Sequence, residues 1–501
     1  MEKKDLIFQF LFLIVSFLGF SQVKVDVGIP YGVQNAHYRE YLKVDNGILS
    51  VKVLGRSALI QKFDAGTLAE TERQEYVDFP GNFTYEGLIE FAGQYYFFYS
   101  AYDKKMNTEQ LFFREIDFAT GKFVGDAKIA LQVNVKIRGK CYLTDFFATD
   151  FSISVSNKYN ICLSSDKSKL LVTYSLNPEK EANYKSYEIT GIHLFGKGMK
   201  PIWDKQFEMS RTEANMKLVD HSLDNDGNVY ALTAVYNSEE DVQIEILKLT
   251  PSGNPTLFSR VELKDHLNTL QFVETSSEDI SVVGYYNNGK GRWNVEGVYF
   301  LKVSKDGKGN IKKFEMPPMN DLKLTELKED SDGGIVVIGE QRYTGRHGVA
   351  SNRNSYPIDY YNHVHVAKIS KSGDLMWMNR LAKRQVGSTL QQMSCSYKYL
   401  KLGKFHYVIY IDNLKNISLA EKGKPNETYY DRQPGNVMAY KISDEDGKVE
   451  KLLIQDLTEV NGKNVEQFKV NRIVPVSSNE FIFEVYKGKK EDVWLKALVA
   501  Q

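Results

Sequence analysis

Short runs in which apolar and polar residues alternate recur along the chain, and each ends on a glycine. Leu247-Lys248-Leu249-Thr250-Pro251-Ser252-Gly253 and Leu301-Lys302-Val303-Ser304-Lys305-Asp306-Gly307 are two of them. Ala367-Lys368-Ile369-Ser370-Lys371-Ser372-Gly373 and Tyr440-Lys441-Ile442-Ser443-Asp444-Glu445-Asp446-Gly447 repeat the pattern. Period-two alternation predicts a strand with one face buried, and the glycine offers the positive φ of a tight hairpin. Ahead of such runs stand polar clusters followed by apolar stretches. Asp224 to Asn228 leads into Val229-Tyr230-Ala231-Leu232, and Asp332-Gly333-Gly334 leads into Ile335-Val336-Val337-Ile338. Ser277 to Asp279 and Ser478 to Glu480 introduce Ile280 to Val283 and Phe481 to Phe483 in the same way. Each cluster reads as a turn, and each stretch as a strand covered on both faces.

The unit is therefore strand a, polar turn, apolar strand b, variable connection, alternating strand c, glycine turn and strand d. Trp203 and Trp377 mark strand d in two units. The lysine of strand c serves as a ruler. It recurs at Lys248, Lys302, Lys368, Lys441 and Lys496, with weaker copies upstream carrying Lys62, Arg114 (Glu115 being the aligned position) and His193. The repeat is about sixty residues, longer than the ~40–50 of compact propeller units. Sheets of this kind bury their faces only by stacking on one another, and four-stranded sheets in a ring make a β-propeller. The expected fold is all-β, a single propeller over residues 22–501 with eight four-stranded blades, seven being the alternative count. The last unit ends after strand c. Val23-Lys24-Val25-Asp26-Val27 alternates without a partner, so it is expected to supply the missing outer strand and close the ring. The segment from Ile129 to Asp150 is the least regular part of the pattern.

The first residues stand apart from this repeat. Lys3 and Lys4 precede a fifteen-residue apolar stretch, Leu6 to Phe20, and small Gly19 and Ser21 precede Gln22. That is the order of a cleaved secretory signal, residues 1–21, and the stretch falls short of the ~20 residues that span a bilayer. No later run reaches that length, so no transmembrane segment is expected after signal removal. The expected location is the periplasm or the exterior.

Units such as Asp224 to Tyr230 and Asp332 to Gly339 resemble those of exported bacterial β-propeller repeat proteins, and the Phe20-Ser21-Gln22 junction looks like that of proteins from the Bacteroidetes. The resemblance implies a fold and an exported location, and no particular reaction.

Lys plus Arg and Asp plus Glu are 64 each, which leaves no electrostatic footprint for nucleic acid. Three cysteines are too few for a disulfide framework. A Cys141–Cys162 pair and buried free thiols both fit the sequence. No phosphate-cradling glycine loop, nucleophile elbow or His-Glu-x-x-His helix is present, and no cofactor is expected.

Propeller topology puts the a–b and c–d hairpins on one face and the b–c and d–a connections on the other. The long connections are all b–c. Arg342 to Asn362 carries Arg342, Tyr343, Arg346, His347, Tyr356, Tyr360 and Tyr361. Asp412 to Asn436 carries Tyr429, Tyr430 and Arg432, and a shorter loop after Tyr286 carries Arg292 and Trp293. Tyrosine, tryptophan and arginine dominate binding hot spots, so these consecutive blades form the candidate ligand face. The plainer alternative is that the tyrosines pack the loops onto the blades. His363 and His365, two apart on a strand, point to one face and have a spacing that can chelate a metal, with Asp359 and His347 near in sequence. Asp224, Asp226 and Asn228 look like part of a calcium loop but lack its closing glutamate, and an Asp-rich turn explains them. The expected role is a monomeric, non-enzymatic binding or scaffold protein for a glycan or protein ligand. The alternatives are a glycosidase or lyase with carboxylates at the channel and a subunit of an envelope assembly.

Overall fold

In a computed structural model the repeat units become eight antiparallel sheets arranged in a ring. The structure describes residues 23–499 except 34–35, 37, 136, 139–157, 177–185, 238–241, 263–265, 278, 288–293, 348–355, 389–393, 422–425 and 489. Residues 1–22, where a leader is expected, Cys141 and Trp293 therefore lie outside the described residues.

Blade 1 comprises Tyr38–Val44, Gly47–Leu54, Ser57–Asp64 and Glu70–Tyr76, from the inner strand outward. Blades 2 to 5 begin at Thr84, Asn160, Met216 and His266 and repeat the order. In blade 6 the first three strands are Leu322–Glu329, Ile335–His347 and Tyr356–Ile369, with Leu375–Leu381 outermost. Blade 7 runs Lys398–Leu402, Phe405–Asn413, Gly435–Ser443 and Val449–Asp456. Blade 8 has only three strands of its own, Gln467–Pro475, Glu480–Tyr486 and Glu491–Leu498. Its fourth is Lys24–Val27, paired from Lys24 opposite Leu498 to Val27 opposite Leu495. The ring is thus closed by the N-terminal strand, as the unpartnered alternation predicts.

The irregular segment after Ile129 is partly explained. Ile129 to Val133 ends the outer strand of blade 2, Lys122–Val133, which is bulged between Val124 and Lys128. Cys162 and Cys395 carry free thiols.

Eight apolar layers, one between each pair of neighbouring blades, make up the core of the described residues. The second strands are buried along most of their length, for example Val229 to Val235, because both of their faces meet a neighbouring blade. Gly373 and Gly447 take φ of 83° and 70° in their turns. Gly253 does not share the expected positive φ; in that hairpin Pro251 already fixes the first turn residue. The Asp224 carboxylate is consumed by its own turn, accepting from the amides of Asp226 (3.0 Å) and Asn228 (2.8 Å) and from the Asn228 side chain (2.7 Å).

All eight ruler positions fall on third strands, and the structure gives the lysine a reason. Lys62, Lys302 and Lys496 donate to carbonyls of Ala119, Lys371 and Gly66, each in the c–d turn of the next blade. Lys368 reaches Asp444 in the same way. A long amphipathic side chain lies along the blade and hands its charge to the adjacent turn, so the repeat ties each such blade to its successor.

Candidate functional site

The long connections of blades 6 and 7 meet on the b–c face. The first is an extended hairpin and not a loop: strands Ile335–His347 and Tyr356–Ile369 stay paired beyond the blade, with Arg342 opposite Tyr361, Tyr343 opposite Tyr360 and His347 opposite Tyr356. Tyr356 to Tyr361 continues the alternation of strand c, and that signal marks the extension. The connection from blade 6 to blade 7 then adds Gln385–Ser388 antiparallel to Ile358–Tyr361. Tyr429–Tyr430, from the blade 7 insertion, pairs in parallel with Gln385 and Val386. Three separate connections therefore form one small accessory sheet, a platform on the b–c face. Lys383 anchors it from beneath, fully buried, donating to Glu340 Oε1 (2.7 Å), Gln385 Oε1 (2.7 Å) and the Tyr361 carbonyl (3.2 Å).

The candidate residues divide between the platform's interior and its surface. Tyr361, Tyr429 and Arg342 are buried. The Arg342 guanidinium lies 4.6 Å from the centre of the Tyr361 ring, and the Tyr429 hydroxyl donates to the Gln433 carbonyl (3.0 Å). These three pack the insertions onto the blades. Tyr343 and Tyr360, half-buried, stack with ring centres 4.7 Å apart and planes 10° apart. Tyr430 is 50% exposed, and Arg432 is exposed in a turn with φ of 66°. For Arg346 and Tyr356 the structure describes the backbone alone. Beside the platform a cleft lies between Asp431, Arg432 and Gln433 of blade 7 and Glu466, Gln467 and Phe468 leading into blade 8.

His365 is fully buried, and its Nδ1 shares a hydrogen bond with the Tyr285 hydroxyl (2.9 Å). Burial lowers its pKa to about 4. The His363 pKa is lowered by burial and then by Arg380, Lys383 and Arg384. Cations around one ring and a tyrosine on the other do not suit a metal. Asp359 bonds Thr344 instead. Among the described residues one group, Asp330, His406 and Asp444, places three possible metal ligands together. Lys368 and Lys401 already lie against its carboxylates, at 2.9 and 3.0 Å from Asp330 Oδ2. Two ammonium groups occupy the place of a cation, and the group acts as a charge-balanced lock between blades 6 and 7.

Two acids at the inner strands of blades 4 and 5 are marked by no local motif. Asp220, on the inner strand of blade 4, has its pKa raised by burial to about 6, although it accepts from the amides of Phe272 (3.0 Å) and His221 (2.8 Å). Glu274, at the end of the inner strand of blade 5, lines the channel cavity with Lys328 and Glu329. Its pKa is raised to about 8, first by burial and also by Asp220, against hydrogen bonds from Ser222 and the Leu223 amide.

No family model and no curated protein matches the sequence. Solved structures resemble its fold. The β-propeller domain of the trilobed protease from Pyrococcus furiosus aligns with a TM-score of 0.39 and 11% identity, over 86% of this chain and 98% of that one. An uncharacterized protein from Listeria monocytogenes EGD-e aligns with a TM-score of 0.39 and 7% identity, over 80% and 94%. Prolyl oligopeptidase B from Galerina marginata aligns with a TM-score of 0.40 and 10% identity, over 92% of this chain and 55% of that one.

Proposed function

We propose that this protein is an exported, non-enzymatic propeller that binds a glycan or a partner protein on the platform of blades 6 and 7. The observation that carries the reading is the accessory sheet. Connections much longer than a blade requires usually serve a purpose, and here three of them are joined into one ordered surface. That surface presents the stacked Tyr343–Tyr360 pair, exposed Tyr430 and exposed Arg432. Rigid aromatic faces beside a guanidinium suit sugar rings and protein hot spots alike. The propeller beneath acts as a scaffold, and the leader-like residues 1–21 support a location in the periplasm or outside the cell.

The test is a binding screen of the mature protein against glycans and peptidoglycan fragments, run beside Tyr343→Ala/Tyr360→Ala and Tyr430→Ala/Arg432→Ala variants. Binding that both variants weaken supports the platform. Binding that neither changes overturns it, and absence of any glycan ligand turns the search to envelope proteins. A second reading, a carbohydrate-active enzyme, is favoured by the channel acids. Glu274 is mostly protonated near pH 7 while Asp220 is mostly ionised, the division of labour between acid and base in glycoside cleavage. Polysaccharide turnover abolished by Glu274→Gln would move the function from the platform to the channel.

A further inference from the structure

We propose that the seam where the ring closes holds a binding site for an oxyanion, a carboxylate or phosphate group, formed by Arg472 and Lys469 of blade 8 with Arg39 of blade 1. The proposal goes beyond the platform reading and stands without it. Blade 8's inner strand, Gln467–Pro475, faces blade 1's inner strand at this seam, and the layer between them buries an ionic cluster. Its carboxylates are Glu484 and Asp492, both fully buried. Every oxygen but Asp492 Oδ1, which has no hydrogen-bond partner, is engaged. Arg39 Nη1 lies 2.6 Å from Glu484 Oε2 and 2.5 Å from Asp492 Oδ2. Lys52 Nζ lies 3.0 and 3.3 Å from the same two groups. The Tyr31 and Tyr41 hydroxyls also donate to Glu484.

Arg472 is held by charge and not by hydrogen bonds to the carboxylates. It is 1% exposed, yet its Nε and Nη1 have no hydrogen-bond partner. Nη1 stands 3.7 Å from each carboxylate, beyond hydrogen-bonding reach. Nη2 alone is satisfied, by the neutral Gln467 side chain at 3.0 Å. A guanidinium keeps its charge in any protein environment, and buried donors left unmet are costly. Charge points the same way. Arg39, Lys52 and Arg472 face two carboxylates, and Lys469, also buried, lies beside them. Burial and then the repulsion of Arg472 and Arg39 lower the Lys469 pKa to about 7, with Asp431 pulling the other way. An oxyanion would neutralise the excess and accept from the open edge of Arg472, the fork geometry that guanidinium offers such groups. Exposed Gln467, which accepts from Arg472 Nη2, also lines the cleft beside the platform.

The experiment is a calorimetric titration of the mature protein with sodium phosphate, acetate and sulfate at constant ionic strength, in buffers of differing ionisation enthalpy near pH 7.5. Saturable millimolar binding with proton uptake is expected, because an anion raises the Lys469 pKa. Lys469→Met should weaken binding by about tenfold, and Lys469→Arg should restore affinity without the proton uptake. Which anion binds tighter separates phosphate from carboxylate ligands. Binding by none of them across the millimolar range, or equal affinity in Lys469→Met, overturns the proposal. Arg472→Gln, if it folds, should lose binding altogether; unchanged binding there would also overturn it. Free oxyanions contain no sugar or peptide for the platform to hold, so failure here leaves the platform reading intact.

Discussion

Glu274 carries a proton that the unfolded chain would release. Burial beside the channel, with Asp220 close by, takes its pKa from 4.5 to about 8. A carboxyl whose folded pKa is raised favours the folded state fully below its unfolded pKa, and that contribution falls as pH rises through the folded value. The window here runs from 4.5 to about 8. Each unit inside it is worth about 1.4 kcal/mol, which gives an upper limit of about 5 kcal/mol. Because the side chain partly faces the channel, screening reduces this to about 2–3 kcal/mol. Glu274→Gln keeps the shape and removes the titration. Thermal unfolding of the two proteins from pH 5 to 8.5 should show the native protein losing stability relative to the variant as pH rises, most steeply from 6 to 8. Asp220, at about 6, adds a smaller dependence to both proteins. Curves that remain parallel across the range would refute the burial argument and remove the basis for a channel acid.

Starting the chain at Gly28 removes the closing strand and the buried Val23 side chain, and should lower stability by about 3–5 kcal/mol; an unchanged melting temperature would show that closure does not depend on it. Gly373→Val forces a β-branched residue to φ of 83° with Cβ 2.6 Å from Phe300, so calorimetry should show a loss of at least ~2 kcal/mol. Gly253→Ala, with ordinary backbone and no atom nearer than 3.8 Å, should be neutral or mildly stabilising in the same assay. Lys368→Met strips a buried ammonium from Asp330 and Asp444 and should cost about 3 kcal/mol by chemical denaturation; a neutral result would mean that Lys401 alone balances the lock.

The blades were legible because each is local. Alternation, an apolar run and a turn lie within one unit, so strand type and order follow from period and punctuation. Even the closing strand could be inferred, since an alternating segment at one end and a missing strand at the other need each other. The platform was legible only as an address. Arg342 to Tyr361 has the composition of a binding loop, but composition does not say which tyrosines turn inward. That depends on Gln385 and Val386 arriving from a different connection to pair with both insertions. The ionic seams left a fainter mark. Glu484 interrupts the apolar run Phe481-Ile482-Phe483, and a carboxylate there signals a buried partner. Arg472 lies on the neighbouring strand of the same blade, but nothing near Glu484 in sequence identifies Arg39 or Lys52, which ring closure brings from the opposite end of the chain.

The platform is tested most directly by hydrogen–deuterium exchange on the mature protein with and without the tightest-binding glycan or peptidoglycan fragment from the screen. Protection concentrated at 341–347, 356–361, 385–388 and 429–433 is the predicted result. Protection confined to the inner strands of blades 4 and 5, or to the outer strands, with those four segments unchanged, would contradict it.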